Sequence, residues 1–221
     1  LQQPDHELDD CITVPFCPES RLSGVEYRDF MACVWYRRTV VIPESFLDQR
    51  VFLHIGACDY HTQVYVNGQS VGTHTGGYTP MCFDVTDALT EGENVITVCA
   101  EDDTRSPAQP SGKQCVEYAS YGCSYTRTTG IWQTVWLEAR PESYLESMHV
   151  QTECSGHVEL LVRAKNAENQ QVSAAVSLNG ELCTLGSGTV HGGVANMHLQ
   201  LPEDLSAEWR DYLKLQQSQG L

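Results

Sequence analysis

The chain has 221 residues, 41% hydrophobic and 19% charged, enough apolar mass for one or two globular cores. Its 29 acidic residues against 13 Lys and Arg leave a formal net charge of -16, which repels phosphate backbones and argues against nucleic acid as a partner. No apolar run approaches the ~20 residues that cross a bilayer, so no membrane partner is expected.

The first residues, Leu1-Gln2-Gln3-Pro4-Asp5-His6-Glu7, lack the basic start and apolar core of a signal peptide. They also lack an initiator Met, which points to a piece of a longer protein. Residues 1–30 read as irregular, with Pro4, Pro15 and Pro18 among many carboxylates. Strands are predicted over 35–42, ended by Pro43, over 50–55 with Val51, Leu53 and Ile55 on one face, and over 62–66. Asn67-Gly68 then marks a tight hairpin, because both residues tolerate positive φ, and 69–73 is the return strand. After Gly76-Gly77, a strand is expected over 78–85 and a helical turn over 86–90, capped by Asp84 or Thr86 and released at Gly92. Residues 94–100 form a clear strand with Ile96, Val98 and Ala100 facing one way. A loop rich in Ser, Gly, Pro and Tyr follows over 101–129; loops of that length are functional or disordered as a rule.

The stretch 125–138 alternates Ile131, Val135 and Leu137 with Trp132, Thr134 and Trp136. Bulky apolar groups on both sides predict a central strand covered on both faces. Residues 139–142 read as a linker. Thin strands follow over 145–151, 157–163, 171–178 and 194–201, with a second Asn-Gly hairpin at Asn179-Gly180. Short strands at regular spacing suggest a second β-sandwich. A weak helical period with Trp209 and Leu213 runs through 206–221.

The ten cysteines invite a disulfide framework, but the chain is large, lacks a signal peptide and builds a core without staples. Several occupy apolar strand positions, among them Cys33 and Cys99, so reduced thiols in a cytoplasmic protein are expected. Ser111-Gly112-Lys113-Gln114 fails as a phosphate loop, since Gln114 stands where Ser or Thr should be. His54, Cys58 and His61 have partial zinc spacing without a Cys-x-x-Cys, and read as a half-buried His and a core thiol. Gly186-Ser187-Gly188 misses the nucleophile elbow. Carboxylates are too numerous for any pair to stand out as a glycosidic acid and nucleophile. No catalytic residue, metal site or cofactor is therefore expected.

Ordered motifs resemble the amino-terminal part of glycoside hydrolase family 2, the family of β-galactosidases and β-glucuronidases. They include Val14-Pro15-Phe16-Cys17-Pro18-Glu19-Ser20, Trp35-Tyr36-Arg37-Arg38, Val64-Tyr65-Val66-Asn67-Gly68 and Gly76-Gly77-Tyr78-Thr79-Pro80. Gln109-Pro110-Ser111-Gly112-Lys113-Gln114 and the run from Arg127 to Glu138 complete the series, which spans about 11–138. The resemblance implies an all-β chain: a jelly-roll sugar-binding domain over 1–140, then an immunoglobulin-like β-sandwich over 141–221. The family's catalytic TIM barrel would follow, and neither a βα alternation nor the Asn-Glu dipeptide of its acid/base is present here. The sandwich's usual closing motif is not recognisable around Trp209 either.

The implied function is thus a non-catalytic portion of a glycosidase, inactive alone, with a carbohydrate of the β-galactoside or β-glucuronide class and the barrel as partners. A homo-oligomer also fits. The alternatives are a stand-alone carbohydrate-binding module and a structural assembly module. By resemblance, the loop around Thr13 and the loop before Gly130 help hold the terminal sugar. Several family members carry an acid six residues before that Gly; here the position is Ser124. Thr13, Tyr125 and Arg127 remain as carbohydrate-binding candidates, since aromatic faces and guanidinium forks suit sugar C–H and hydroxyl groups. The competing reading is that Tyr125 and Arg127 pin the loop or face the barrel, and that Trp132 and Trp136 are packing residues.

Overall fold

The computed structural model describes residues 8 and 10–203. The helical period expected over 206–221 lies outside the described residues. The strands are β1 Cys33–Ile42, β2 Arg50–Ile55, β3 Cys58–Asp59, β4 His61–Val66, β5 Gln69–Thr75, β6 Met81–Asp84 and β7 Gly92–Glu101. They continue with β8 Gly130–Ile131, β9 Val135–Arg140, β10 Tyr144–Thr152, β11 His157–Lys165, β12 Gln171–Leu178, β13 Glu181–Thr189 and β14 Val194–Gln200. The only helical pieces described are single turns at Arg21–Ser23, Glu44–Leu47 and Thr86–Ala88. The protein is all-β, and it divides between Arg140 and Pro141 into two compact units.

The first unit packs a four-stranded sheet, β1-β7-β4-β5, against a three-stranded sheet, β6-β2-β9. Alternation puts Tyr36, Val64, Val66, Ile96, Val98 and Ala100 on the inner face of one sheet. Val51, Leu53 and Ile55 on central β2 meet them from the other. The Asn67-Gly68 hairpin forms as its residues dictate, with φ of 51° and 80°. Asn67 does more than turn the chain. Its amide donates to Asn94 Oδ1 at 2.7 Å and to Ala88 O at 2.9 Å, and its Oδ1 accepts from Val95 N. The expected cap at Asp84 or Thr86 falls instead on Val85, while Asp84 Oδ1 accepts from Thr86 N at 3.2 Å and from its hydroxyl at 2.6 Å at the entry to the turn Thr86–Ala88.

The stretch expected as one central strand over 131–137 is instead broken and lies at an edge. β8 pairs with β3 (Cys58 with Ile131), whereas β9 pairs with β2 (Ile55 with Val135). Two residues, Gly56 and Ala57, therefore stand opposite three, Trp132, Gln133 and Thr134. One extra residue is a bulge, and it re-aims Trp132. β9 has β2 alone as a neighbour, which leaves Trp136 44% exposed. The strand expected over 78–85 shortens to Met81–Asp84, because Gly76 to Pro80 form the aromatic corner described below.

The second unit pairs β10-β11-β14 in one sheet and β12-β13 in another. Its core is Val158, Leu160, Val162, Met197 and Leu199, with Val172, Ala174 and Val176 packed on them. Met148 and Val150 lie opposite Val162 and Leu160 in register, on the core side of β10, yet both are exposed. The two-stranded partner sheet is too narrow to cover them.

Candidate functional site

The long loop between β7 and β8 is held by buried polar groups. Asp59, at the end of β3, accepts from Gln114 Nε2 at 2.8 Å. The same amide's Oε1 accepts from Thr128 N at 2.8 Å, so one side chain ties the loop's two arms to β3. Glu19, from the irregular amino-terminal segment, accepts Thr129 N at 3.1 Å. Asp102 accepts from Gln109 Nε2 at 2.5 Å and from the Thr129 hydroxyl at 3.2 Å. Asp59, Glu19 and Asp102 are all buried. The backbone closes in as well: a Cβ on Gly77 would stand 2.6 Å from Asp59 Cγ, so only glycine lets the Gly76-Gly77 turn lie against this carboxyl.

Burial, reinforced by the charge of Asp102, pushes the Asp59 carboxyl up to about 6. Burial also raises Glu19 and Asp102 above the ordinary carboxylate range. A carboxyl held up in the fold keeps its proton where the unfolded chain has lost it. Asp59 therefore favours the fold at low pH, and that advantage is lost as pH rises from about 4 to about 6. Glu138 acts in a different window, since its hydrogen bond from Arg140 holds it low and its stabilisation is lost only under more acid conditions. Asp59→Asn is expected to flatten the fall in thermal midpoint between pH 4 and 6, measured by circular dichroism melts. An unchanged slope would contradict this.

On the surface above Asp59 the loops present an aromatic corner. Tyr78 and Tyr125 are 65% and 45% exposed, and the nearby Tyr125 hydroxyl raises the ionisation of Tyr78. Tyr78 meets the Trp132 ring edge-on at 5.5 Å, and Trp132 Nε1 donates to Gly77 O at 2.7 Å. Trp132 therefore does pack, but its ring also walls the corner. Trp136 stacks flat on His54 at 4.6 Å, and His54 Nε2 lies 2.8 Å from Glu138 Oε2. Among the described residues, no group of His, Cys, Asp and Glu is arranged to hold a metal ion.

The three candidate residues fall in three places. Thr13 is exposed at the rim of a cavity of about 770 Å³ lined by Tyr36, Leu53, Val98, Ile131 and Trp136. Tyr125 stands on the aromatic corner. Arg127 is 2% exposed and lines a smaller pocket of about 290 Å³ with Phe30 and Asp102. Its Nη1 donates to Glu117 O at 2.7 Å and Cys115 O at 3.2 Å, and its Nη2 to Arg28 O. Its guanidinium lies 3.7 Å from the Phe30 ring centroid and that of Arg105 lies 3.4 Å away, which leaves room only on opposite faces. Tyr78 and Trp132 join Tyr125 although the sequence reading gave them no sugar-facing role; the signal was Gly76-Gly77-Tyr78, whose glycines bring the turn close to Asp59.

Residues 13–141 match the family model described as glycosyl hydrolases family 2, sugar binding domain. A β-galactosidase of Thermoanaerobacter pseudethanolicus is 31% identical over 123 residues, 55% of this chain and 16% of that protein. A β-glucuronidase of Chlorocebus aethiops is 28% identical over 188 residues, 70% of this chain and 29% of that protein. Among solved structures, Bifidobacterium dentium β-glucuronidase complexed with coumarin-3-O-glucuronide superposes with a TM-score of 0.67 at 20% identity, covering 87% of this chain and 36% of that one. The chain thus spans less than a third of the curated relatives it matches.

Proposed function

Since the chain belongs to glycosyl hydrolase family 2, we propose that it is the non-catalytic amino-terminal portion of a glycosidase and supports substrate binding by the rest of that enzyme. On this reading the first unit is the family's jelly-roll sugar-binding domain and the second the start of its immunoglobulin-like domain. The partners are a β-galactoside or β-glucuronide and a catalytic TIM barrel. The observation that carries the reading is the exposed corner of Tyr78, Tyr125 and Trp132, held rigid by the Asp59–Gln114 anchor beneath it. Aromatic faces suit the C–H face of a pyranose, and a fixed platform loses little entropy on binding. Tyr125 and Thr13 are the proposed contact residues, and Arg127 positions the loop that carries Tyr125. The uncovered Met148 and Val150 suit a further docking partner. Free thiols throughout and no helix among the described residues long and apolar enough to cross a membrane fit a cytoplasmic location.

Titration of the chain with methyl β-galactoside and methyl β-glucuronide, followed by tryptophan fluorescence, tests this. Weak saturable binding to one of them is expected, lowered about tenfold by Tyr125→Ala, which corresponds to ~1.4 kcal/mol and is close to the contribution of one aromatic contact. Binding unaffected by Tyr125→Ala, or no saturation at all, would overturn the reading. Tight binding by the chain alone would favour a stand-alone carbohydrate-binding module instead.

A further inference from the structure

Two thiols on neighbouring strands lie within reach of each other. Cys33 Sγ is 3.3 Å from Cys99 Sγ, and this is the one sulfur-to-sulfur hydrogen bond among the described residues. Cys33 opens β1 and Cys99 lies in β7. Register puts Trp35 opposite Cys99 and Cys33 opposite Glu101, so the two cysteines are diagonal neighbours. They face away from the core, because Val34, Val98 and Ala100 occupy the alternate positions inside it. Trp35 and Gln63 flank Cys99 on either side in the sheet.

Accessibility differs across the pair. Cys33 is half-buried and Cys99 is fully buried. Burial, with the Cys33 thiol and Glu101 nearby, pushes the Cys99 thiol up to about 12. Cys33 is thus the sulfur that an oxidant meets first, and Cys99 sits behind it as the resolving thiol. Closing from 3.3 Å to a bond of about 2.05 Å asks the sulfurs to move together by roughly 1.3 Å, and because diagonal strand neighbours stand ~7–8 Å apart the two strands draw together as the bond forms.

We infer that Cys33 and Cys99 form a peroxide-sensitive dithiol that closes into a cross-strand disulfide. The Cys33 thiolate attacks one peroxide oxygen, the O–O bond breaks, and the leaving hydroxide takes up a proton as water. Cys33 is then a sulfenic acid. Cys99 sulfur attacks Cys33 sulfur, the S–O bond breaks, and hydroxide leaves as a second water with the Cys99 proton. Two thiols give up two electrons and one hydrogen peroxide becomes two waters.

The position gives the bond a consequence. Asp102 N donates to Ala32 O at 3.2 Å, one step beyond the Cys33–Glu101 register pair, and the Asp102 carboxylate anchors Thr129. A disulfide would therefore clamp the edge strand β1 onto β7 at the base of the long loop. It bridges 66 positions of sequence, a separation at which cross-links restrict the unfolded chain strongly.

The test is to treat the purified chain with hydrogen peroxide, alkylate the remaining thiols, digest and map by mass spectrometry. A linked peptide pair holding Cys33 and Cys99, 2 Da lighter than the two thiols and lost on reduction with dithiothreitol, is expected. The thermal midpoint should rise by about 5 °C on oxidation, and Cys33→Ser should abolish the rise while melting like the reduced parent chain. Recovery of both cysteines alkylated, or of Cys33 as sulfinic acid with Cys99 alkylated, would overturn the inference. So would a midpoint rise that persists in Cys33→Ser.

Discussion

Gly130→Ala is expected to destabilise the first unit by ~2–5 kcal/mol, combining a left-handed backbone with an overfilled core. Gly130 has φ of +72°, and a Cβ there would press into the Tyr36 ring, 3.0 Å from Cε2 and closer still to the hydroxyl. Tyr36 is held in place: it is 8% exposed, and its hydroxyl accepts from Ile131 N at 3.2 Å, a bond that any retreat into the neighbouring cavity breaks. Burial also pushes that hydroxyl's ionisation well above its ordinary range, as expected for a phenol sealed between sheets. A double-mutant cycle measured by urea unfolding isolates the contact. In a Tyr36→Phe background the offending oxygen is gone, so Gly130→Ala should cost measurably less. An equal cost in both backgrounds would show that backbone conformation alone is responsible.

Arg127→Met should cost roughly 3 kcal/mol or more, and Arg127→Lys an intermediate amount. The guanidinium supplies three hydrogen bonds to the carbonyls of Arg28, Cys115 and Glu117, and methionine supplies none. A buried carbonyl left without a donor, as that of Cys115 would be, costs ~1–3 kcal/mol, and the half-buried carbonyls of Arg28 and Glu117 add less. Lysine keeps the charge over Phe30 but cannot fork between separate carbonyls. The expected order in thermal melts is wild type, then Lys, then Met. Variants that melt alike would mean that Arg127 is not what holds the loop.

Most strands could be read from the residues because their cause is local. Val51, Leu53 and Ile55 alternate onto one core, and the Asn-Gly pairs turn where positive φ is cheap. The bulge at Trp132 to Thr134 was not legible, because it depends on how many residues the partner strand spends between Ile55 and Cys58. An alternation inside one strand carries no record of that count. The same blindness hid the site's anchors. Glu19, Asp59 and Asp102 are three of 29 carboxylates, and only tertiary burial singles them out. Residue type alone left Arg127 open between a sugar ligand, which its side chain suits, and a pin for its own loop. Its partners are backbone carbonyls, one of them 99 positions away, and a backbone carbonyl leaves no mark in the sequence.

Those three carboxylates also bear on the proposal that this chain assists a glycosidase without performing the hydrolysis itself. Buried and turned onto Gln114, Gln109 and the backbone of Thr129, they serve as loop anchors rather than as an acid and nucleophile across a sugar bond. The direct measurement is turnover of nitrophenyl β-galactoside and β-glucuronide by the purified chain. A rate equal to that of buffer is expected, for the wild type and for Asp59→Asn alike. Robust turnover that Asp59→Asn or Glu19→Gln abolishes would contradict the account.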